Sequence, residues 1–533
     1  MTIPSVVFHG HFYQPPREDP WTDTVPLEAS AAPYHDWNER ILAECYRPVT
    51  EARILGRDGR IADILNTLEW MSWDAGPTLL RWLAREAPDT YAAFLEADRR
   101  SLRRAGFGNA LASPYHHVIL PLASRREKVT EVRWGVEDFR RRFGREPDGM
   151  WLPETAVDRE TLEVLAAEGI AFTVLAPDQL EEVPPNGGPG RVRLSQGRSI
   201  TVFPYDGGLS HGVAFGSLLG DAQAWIREVV DRAGRFGTEL VSLATDGETF
   251  GHHHPWSEMA LAATLVGLER TRAVRLEGYA SFLARHTVTD DVTLVEPSSW
   301  SCAHGVERWR SDCGCKMAPH VESQQAWRTV LREALDELAS DFHKLFEREA
   351  SELFEDPWAV RDAFAGVLDT GLDERRAFVR RRARGTLVTA EVDRALTLLE
   401  VERDALRMFT SCGWFFDDLA GLEPLQVLRY AAHGLDLLGE AGDDLEARLR
   451  KRLAAARSND PEAGDGQRLW DERIRGRPAS HTVRVGEDET TAHQGGLRGA
   501  VVRDAPVLSA VRRFLSAPGP EAARELEVRA AEL

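Results

Sequence analysis

Two acids and a set of imidazoles carry the chemistry this chain could do. The stretch ELVSLATDGETFGHHHPW from Glu239 runs apolar to Thr245, then stops at Asp246, Gly247 and Glu248 and meets His252, His253 and His254. The stretch GMWLPETAVD from Gly149 sets Glu154 behind a Trp-Leu-Pro sequence, and VVFHGHFYQPP from Val6 sets His9, His11 and Gln14 behind another apolar run. Two carboxylates on separate elements are the minimum machinery for glycoside hydrolysis. One attacks the anomeric carbon and the other protonates the leaving oxygen. Imidazole and amide groups can hydrogen-bond sugar hydroxyls, and imidazole can also bind a metal.

Each of these residues has a plainer alternative. A single carboxylate at a strand-to-helix turn is often a helix cap. The histidines His9 and His11 could be buried and internally satisfied. Glu248 either orients a neighbour or starts a helix. His116 and His117 are adjacent, so at most one points inward if that segment is extended. A second cluster, Cys302, His304, Cys313, Cys315 and His320, offers thiolates and imidazoles of the kind that hold Zn²⁺. Its Cys-x-His and Cys-x-Cys spacings are tighter than usual for such sites. The alternative is that the thiols pack beneath a loop, with His304 or Arg308 facing a cleft.

The elements that must position these groups read as strands alternating with helices. Strands are expected at Ile3–Phe8, Ile61–Asn66, Met150–Glu154, Ile170–Leu175, Ser199–Pro204 and Leu240–Thr245, with a short one within Asn109–Leu122. The segment from His9 to Trp21 and that from Asp206 to Phe215 read as loops. Helices are expected at Glu39–Ala52, from Pro77, at Ala87–Arg104, Glu127–Phe143, Arg159–Glu168 and Asp221–Phe236. This alternation argues for a mostly parallel sheet closed as a barrel, whose strands present chemistry at their C-terminal ends. Beyond about residue 290 the pattern becomes helical, over Ala326–Leu353, Leu387–Met408 and Leu425–Ala455. Late strands at Thr482–Val485 and Leu497–Val502 and a terminal helix from Pro506 complete the expectation. The implied division is residues 1–295, 296–460 and 461–533.

With 43% apolar and 28% charged residues, the 533-residue chain is an ordinary globular composition. Its net charge of −20 argues against nucleic acid or an anionic membrane as the general partner. No apolar run approaches the roughly 18 residues of a membrane span, and no secretory leader is evident. Five cysteines, an odd number, suit a reducing cytoplasm.

Four stretches in order, HGHFYQPP, PYHHVILPL, GMWLPE and TDGETFGHHH, resemble the sequence regions of glycoside hydrolase family 57. That family contains amylases, 4-α-glucanotransferases and glucan-branching enzymes. The resemblance spans about residues 5 to 260. The segment from Trp300 through Asp418 is similar to a helical extension in one branch of the family. The resemblance implies an α/β fold, an incomplete (β/α)7 barrel followed by a mainly helical domain, and an α-glucan or maltooligosaccharide substrate. It implies Glu154 as nucleophile and Asp246 as general acid/base of a retaining mechanism, with carboxyl groups about 5–6 Å apart. His11 would contact the sugar, with His9, Gln14 and His116 beside it and Trp151 packed under it. Trp73, His252, Trp300, His304, Trp414 and Asp417 complete the substrate-binding candidates. No metal or other cofactor is required for this reaction.

Two other readings compete. A polysaccharide deacetylase or α-mannosidase on a related barrel would bind a metal through His9, His11, Asp246 and one of His252 to His254. A non-catalytic glucan-binding protein would use the tryptophans alone, but has no use for two acids.

Overall fold

The computed structural model describes residues 3–476 apart from 57, 236 and 319. The strands in chain order are β1 (Ser5–Phe12), β2 (Ala52–Leu55), β3 (Ile61–Leu65), β4 (Ser72–Ala75), β5 (Ala110–Leu111), β6 (Phe172–Leu175), β7 (Gly190–Arg193), β8 (Ser199–Pro204), β9 (Leu240–Asp246) and β10 (Arg275–Leu276). β1 is central. It pairs in parallel with β9 along its length and, on the other side, with β10 and then β4. β4 pairs in parallel with β5. A second sheet joins β6 in parallel to β8, with β7 antiparallel at its edge. Parallel bridges Ala112–Met150 and Gly149–Phe172 run between the two sheets, and the Asp206 N–H donates to the Ser242 carbonyl at 2.7 Å.

Alternation along β1 divides the interior into two cores. Val6, Phe8 and Phe12 face one large apolar cluster, where Phe8 stacks on Trp225 of helix Ala222–Ala233 at 5.2 Å. Val7 faces a smaller cluster with Trp151, Phe172, Val174, Phe203 and Tyr279. Buried on both faces, β1 reads as the continuous apolar run of a parallel strand. On the Val7 side the column turns polar toward its C-terminal end, through His9 to His11. That change of character puts a polar site at the strand ends and leaves dry packing below it.

Several elements differ from the sequence reading. β1 extends to Phe12, so His9 and His11 lie within the strand and not in a loop after it. The segment Ile61–Leu65 is a strand, but it pairs antiparallel with β2 in a separate, largely exposed hairpin. The strand beside β1 is Ser72–Ala75, four residues that are too short to stand out by periodicity. Residues expected as a loop around His211 form helix Gly207–Ala214, whose N-cap Asp206 accepts from the Leu209 N–H.

Beyond β10 the described chain holds no further named strand and is mainly helical. Helices Trp327–Leu353, Thr389–Arg407, Leu422–Leu438 and Glu440–Leu453 pack together. The last two were expected as one; Gly439, at a φ of 60°, breaks them. No helix among the described residues is long and apolar enough to cross a membrane. The expected strands Thr482–Val485 and Leu497–Val502 and the helix from Pro506 lie outside the described residues.

Candidate active site

Register decides which side chains meet. His11 pairs with Asp246 on β9 and with Asp74 on β4. Directly paired residues on parallel strands share a face, so Asp246, His11 and Asp74 form a row across three adjacent strand ends. The Asp74 carboxylate is fully buried. It binds His11 Nδ1 at 2.9 Å and His9 Nε2 at 3.2 Å, and accepts from the Ser113 hydroxyl at 2.9 Å.

Burial works against a charge on His11. Asp74 outweighs it, with smaller contributions from Asp246 and Glu248, and the imidazole pKa rises to about 9. Burial likewise opposes ionisation of Asp74, but His11 and His9 hold its carboxyl down at about 2. His11 is therefore an imidazolium at neutral pH. Its Nε2 lies 3.1 Å from Nε2 of His117, and His117 Nδ1 is 2.7 Å from the Ser411 hydroxyl. Burial and the charge on His11 depress the His117 pKa far below the ordinary value. A neutral His117 thus accepts from His11 and donates to Ser411.

Aromatic rings floor this row. Trp151 is fully buried and stacks under His9 at 4.6 Å and under His11 at 5.2 Å. Tyr13 stacks on His117 at 3.6 Å, and its hydroxyl lies 2.9 Å from that of Thr410. Trp300 stands edge-on to Trp151 at 5.1 Å.

Glu154 sits on a strained turn. It and Thr155 have φ angles of 58° and 50°, in the left-handed region that non-glycine residues avoid. Trp300 fixes this turn through its backbone N–H, which donates to the Glu154 carbonyl at 3.1 Å. The Trp300 indole N–H and the Ser301 hydroxyl both donate to Glu154 Oε2, at 3.1 and 2.5 Å. Burial raises the Glu154 pKa. The Ser301 bond opposes that rise, Asp246 adds to it, and Arg308 and the Trp300 bond oppose it further. Asp246, the last residue of β9, is exposed where the rest of the strand is buried. Desolvation raises its carboxyl pKa, His11 pulls it down and Asp74 adds to the rise. Gly247 follows it because a Cβ there would lie 2.3 Å from the Phe12 ring.

Glu248 is buried and lies in the first turn of the short helix Gly247–Thr249. It accepts from the Tyr13 N–H at 3.0 Å and the Tyr46 hydroxyl at 2.6 Å. Burial lifts its pKa to about 7 against the Tyr46 bond.

The structure thus gathers His9, His11, Trp151, Glu154, Asp246 and Trp300, although His9 is wholly buried beneath His11 and reaches no solvent. Other candidates lie elsewhere. His116 turns away and binds Glu131 at 2.7 Å; its neighbour His117, at a φ of 57°, takes the inward place. Trp73 points to the outer core, packed on Phe94 at 5.3 Å with its indole N–H on the Leu68 carbonyl. Gln14 donates to the Tyr13 carbonyl and accepts from the Arg17 guanidinium at 3.4 Å. His252 binds Glu44 at 2.5 Å, and His254 binds the Ala214 carbonyl. Among the described residues no metal-binding group forms from His9, His11 and Asp246 with any of His252 to His254. Trp414 is core, stacked on Phe409, and Asp417 accepts from the N–H groups of Met317 and Ala318. His304 joins the cysteine cluster, 3.6 Å from Cys315 Sγ.

The sequence alone assigns no role to Asp74, Ser113, Ser301 or Ser411, and it leaves open which of His116 and His117 points inward. Asp74 carries one signal, an acid inside the run MSWDAG directly after Trp73. Ser411 had none, since it arrives from the helical region through the Thr410–Val118 bridge.

A family model described as "Glycosyl hydrolase family 57" matches residues 7–279, and one described as "Domain of unknown function (DUF3536)" matches residues 324–488. A 1,4-alpha-glucan branching enzyme from Thermococcus kodakarensis is 27% identical over 122 residues, a match covering 20% of this chain and 18% of that relative's length. The structure of an exo-type maltose-forming amylase from Pyrococcus sp. ST04 aligns with a TM-score of 0.66 at 17% identity, covering 85% of this chain and 84% of that one. A GH57-type branching enzyme from Pyrococcus horikoshii aligns with a TM-score of 0.52 at 15% identity, covering 89% and 95%. At such identities the structural likeness is one of fold. The family match, however, covers more than half of the chain and takes in most of β1, Glu154 and Asp246; the chain belongs to glycosyl hydrolase family 57.

Proposed function

We propose that this chain is a retaining α-glucan-active enzyme working through a glycosyl-enzyme intermediate. The reading rests on one observation above all. Glu154 and Asp246 come from separate elements to the same strand ends, Glu154 joined to Trp300, Trp300 to Trp151, Trp151 to His11, and His11 paired with Asp246, and solvent reaches both acids. In this reading they stand at the C-terminal mouth of an incomplete (β/α)7 barrel. The bridges Ala112–Met150 and Gly149–Phe172 and the Asp206–Ser242 hydrogen bond support that continuity. The relatives' names, an amylase and branching enzymes, support the substrate class.

Glu154 is the nucleophile. Both of its donors bind Oε2, so Oε1 attacks the anomeric carbon. As that bond forms, the glycosidic C–O bond breaks and Asp246 gives its proton to the leaving oxygen. The raised pKa of Asp246 suits a group that must hold a proton. In the second half, Asp246 takes a proton from water or an acceptor hydroxyl, whose oxygen displaces Glu154. The imidazolium of His11 beside Asp246 is a fixed positive charge at the base of the site. Trp300 and Tyr205, half-buried and edge-on to each other at 6.4 Å, form the wall against which a sugar face packs.

Incubation with maltooligosaccharides and amylose tests the reading. Longer products mean transfer, shorter ones alone mean hydrolysis, and new branch points mean branching. The first product formed carries the α anomer, read by NMR before mutarotation. An initial β anomer, or no turnover on any α-glucan, removes the proposal.

Ser301→Ala tests the orientation of Glu154. Losing a bond to an ionised group costs about 1.5 kcal/mol, roughly tenfold in rate. The Ser301 bond holds the Glu154 pKa down, so its loss moves the acidic limb of the kcat/KM profile to higher pH. An unchanged limb means Ser301 does not support the charged form.

A further inference from the structure

We propose that Cys302, His304, Cys313 and Cys315 form a structural zinc site that closes residues 302–315 on themselves, directly after Trp300 and Ser301. The four donor atoms all lie within 4.8 Å of one another. Cys302 Sγ is 3.9 Å from Cys313 Sγ and 3.8 Å from Cys315 Sγ, and Cys315 Sγ is 3.6 Å from His304 Nδ1. A tetrahedron with Zn–S of about 2.3 Å and Zn–N of about 2.05 Å has S···S edges of about 3.8 Å and S···N edges of about 3.6 Å. Two sulfurs meet at such distances by simple packing. Four soft donors converging on one point do not need to, and a disulfide would bring its sulfurs to about 2.05 Å.

The chain is shaped to produce this convergence. Gly314, at a φ of 82°, lies between Cys313 and Cys315 and turns the backbone around them. Gly305, at a φ of 80°, reverses it after His304; a Cβ there would lie 2.5 Å from the Pro297 carbonyl oxygen. Charge gives an independent argument. Arg308 and Arg328 are both buried beside the cluster and donate to carbonyls: Arg308 to Ser301 and Phe415, Arg328 to Cys315 and Phe416. Neither forms a salt bridge with a carboxylate among the described residues. Three thiolates, a neutral imidazole and Zn²⁺ sum to one negative charge, which offsets buried guanidinium charge. Binding releases the three thiol protons to solvent. The donor set, three sulfurs and one nitrogen closed into a tetrahedron with no open position, is that of a structural centre. Cys302 directly follows Ser301, so the metal fixes the residues that bind Glu154 without touching the reacting atoms. Zinc binding by these four residues does not depend on the reaction proposed above.

The full chain, purified under reductant and without chelator, is expected to contain about one zinc per polypeptide by elemental analysis. The double variant Cys313→Ser/Cys315→Ser is expected to retain less than about a tenth of that. Exchange of the wild-type metal for Co²⁺ should give the intense visible bands and thiolate charge-transfer absorption of a tetrahedral centre, a readout that stands even if the variant fails to fold. Protein with no zinc and no uptake of Co²⁺, a pale six-coordinate Co²⁺ spectrum, or an intact mass two hydrogens light from a disulfide would each overturn the assignment.

Discussion

Glu154→Gln is expected to lower kcat by about 10⁴-fold, equivalent to about 5.5 kcal/mol of barrier, while the protein stays folded. The amide keeps the volume of the side chain but cannot form the glycosyl ester. Asp246→Asn is expected to lose about 10²–10⁴-fold, the usual contribution of a positioned acid/base. The two variants separate by substrate. A leaving group that departs without protonation spares the first step of Asp246→Asn but does nothing for a missing nucleophile. They separate also by rescue. Azide attacks the free face opened in Glu154→Ala and gives an inverted glycosyl azide. In Asp246→Ala it displaces the enzyme ester and gives a retained one. Product NMR reads the difference. A Glu154→Gln enzyme within about tenfold of wild type, or azide products of the opposite stereochemistry, removes the assignment of roles.

Asp74→Asn is expected to destabilise the fold by about 3–5 kcal/mol near pH 6, the usual effect of stripping one partner from a buried ion pair. His11 and His9 would keep an amide oxygen but lose the negative charge they share, and burial then drives His11 to the neutral form. The pH dependence has a defined direction. The folded-state pKa of His11 is raised to about 9 from 6.5, so its contribution is complete below about pH 6.5 and fades as pH rises through about 9. The Asp74 pKa is lowered to about 2 from 3.8, so its contribution is complete above about pH 4 and fades as pH falls through about 2. The gap in stability between wild type and Asp74→Asn should therefore be widest between about pH 4 and 6.5. Chemical denaturation at several pH values checks this. A gap that is constant from pH 5 to 10 would mean that His11 carries no charge. Activity should fall with stability, because a neutral His11 no longer faces Asp246 with a positive charge.

The strongest sequence signals proved to be the ends of long apolar runs. β9 and β1 are buried on both faces, so their composition marks them unaided, and Asp246 and His11 follow from where the apolar residues stop. Trp151 and Glu154 were legible because they sit in one compact run. Two neighbouring pairs, Trp73 with Asp74 and His116 with His117, show what the chain by itself leaves open. In each pair the two residues are neighbours, and the question is which one faces inward. Along β4 the answer depends on pairing with β1, which sets Asp74 opposite His11. At His117 it depends on a left-handed φ that breaks simple alternation. Neither is a property of the local composition.

Two kinds of information therefore separate in this molecule. Residue type and order were enough to mark a pair of acids, a polar cap on apolar strands and a helical C-terminal region, because burial on two faces and helical periodicity leave traces in the chain itself. The row Asp246–His11–Asp74, the grip of Trp300 and Ser301 on Glu154, and the meeting of Ser411 with His117 needed the folded molecule. The last two contacts bring together residues 146, 147 and 294 positions apart. At such separations strand register and the docking of distant segments choose the partners, and a hydrogen bond's few ångströms of reach leave no mark along the chain.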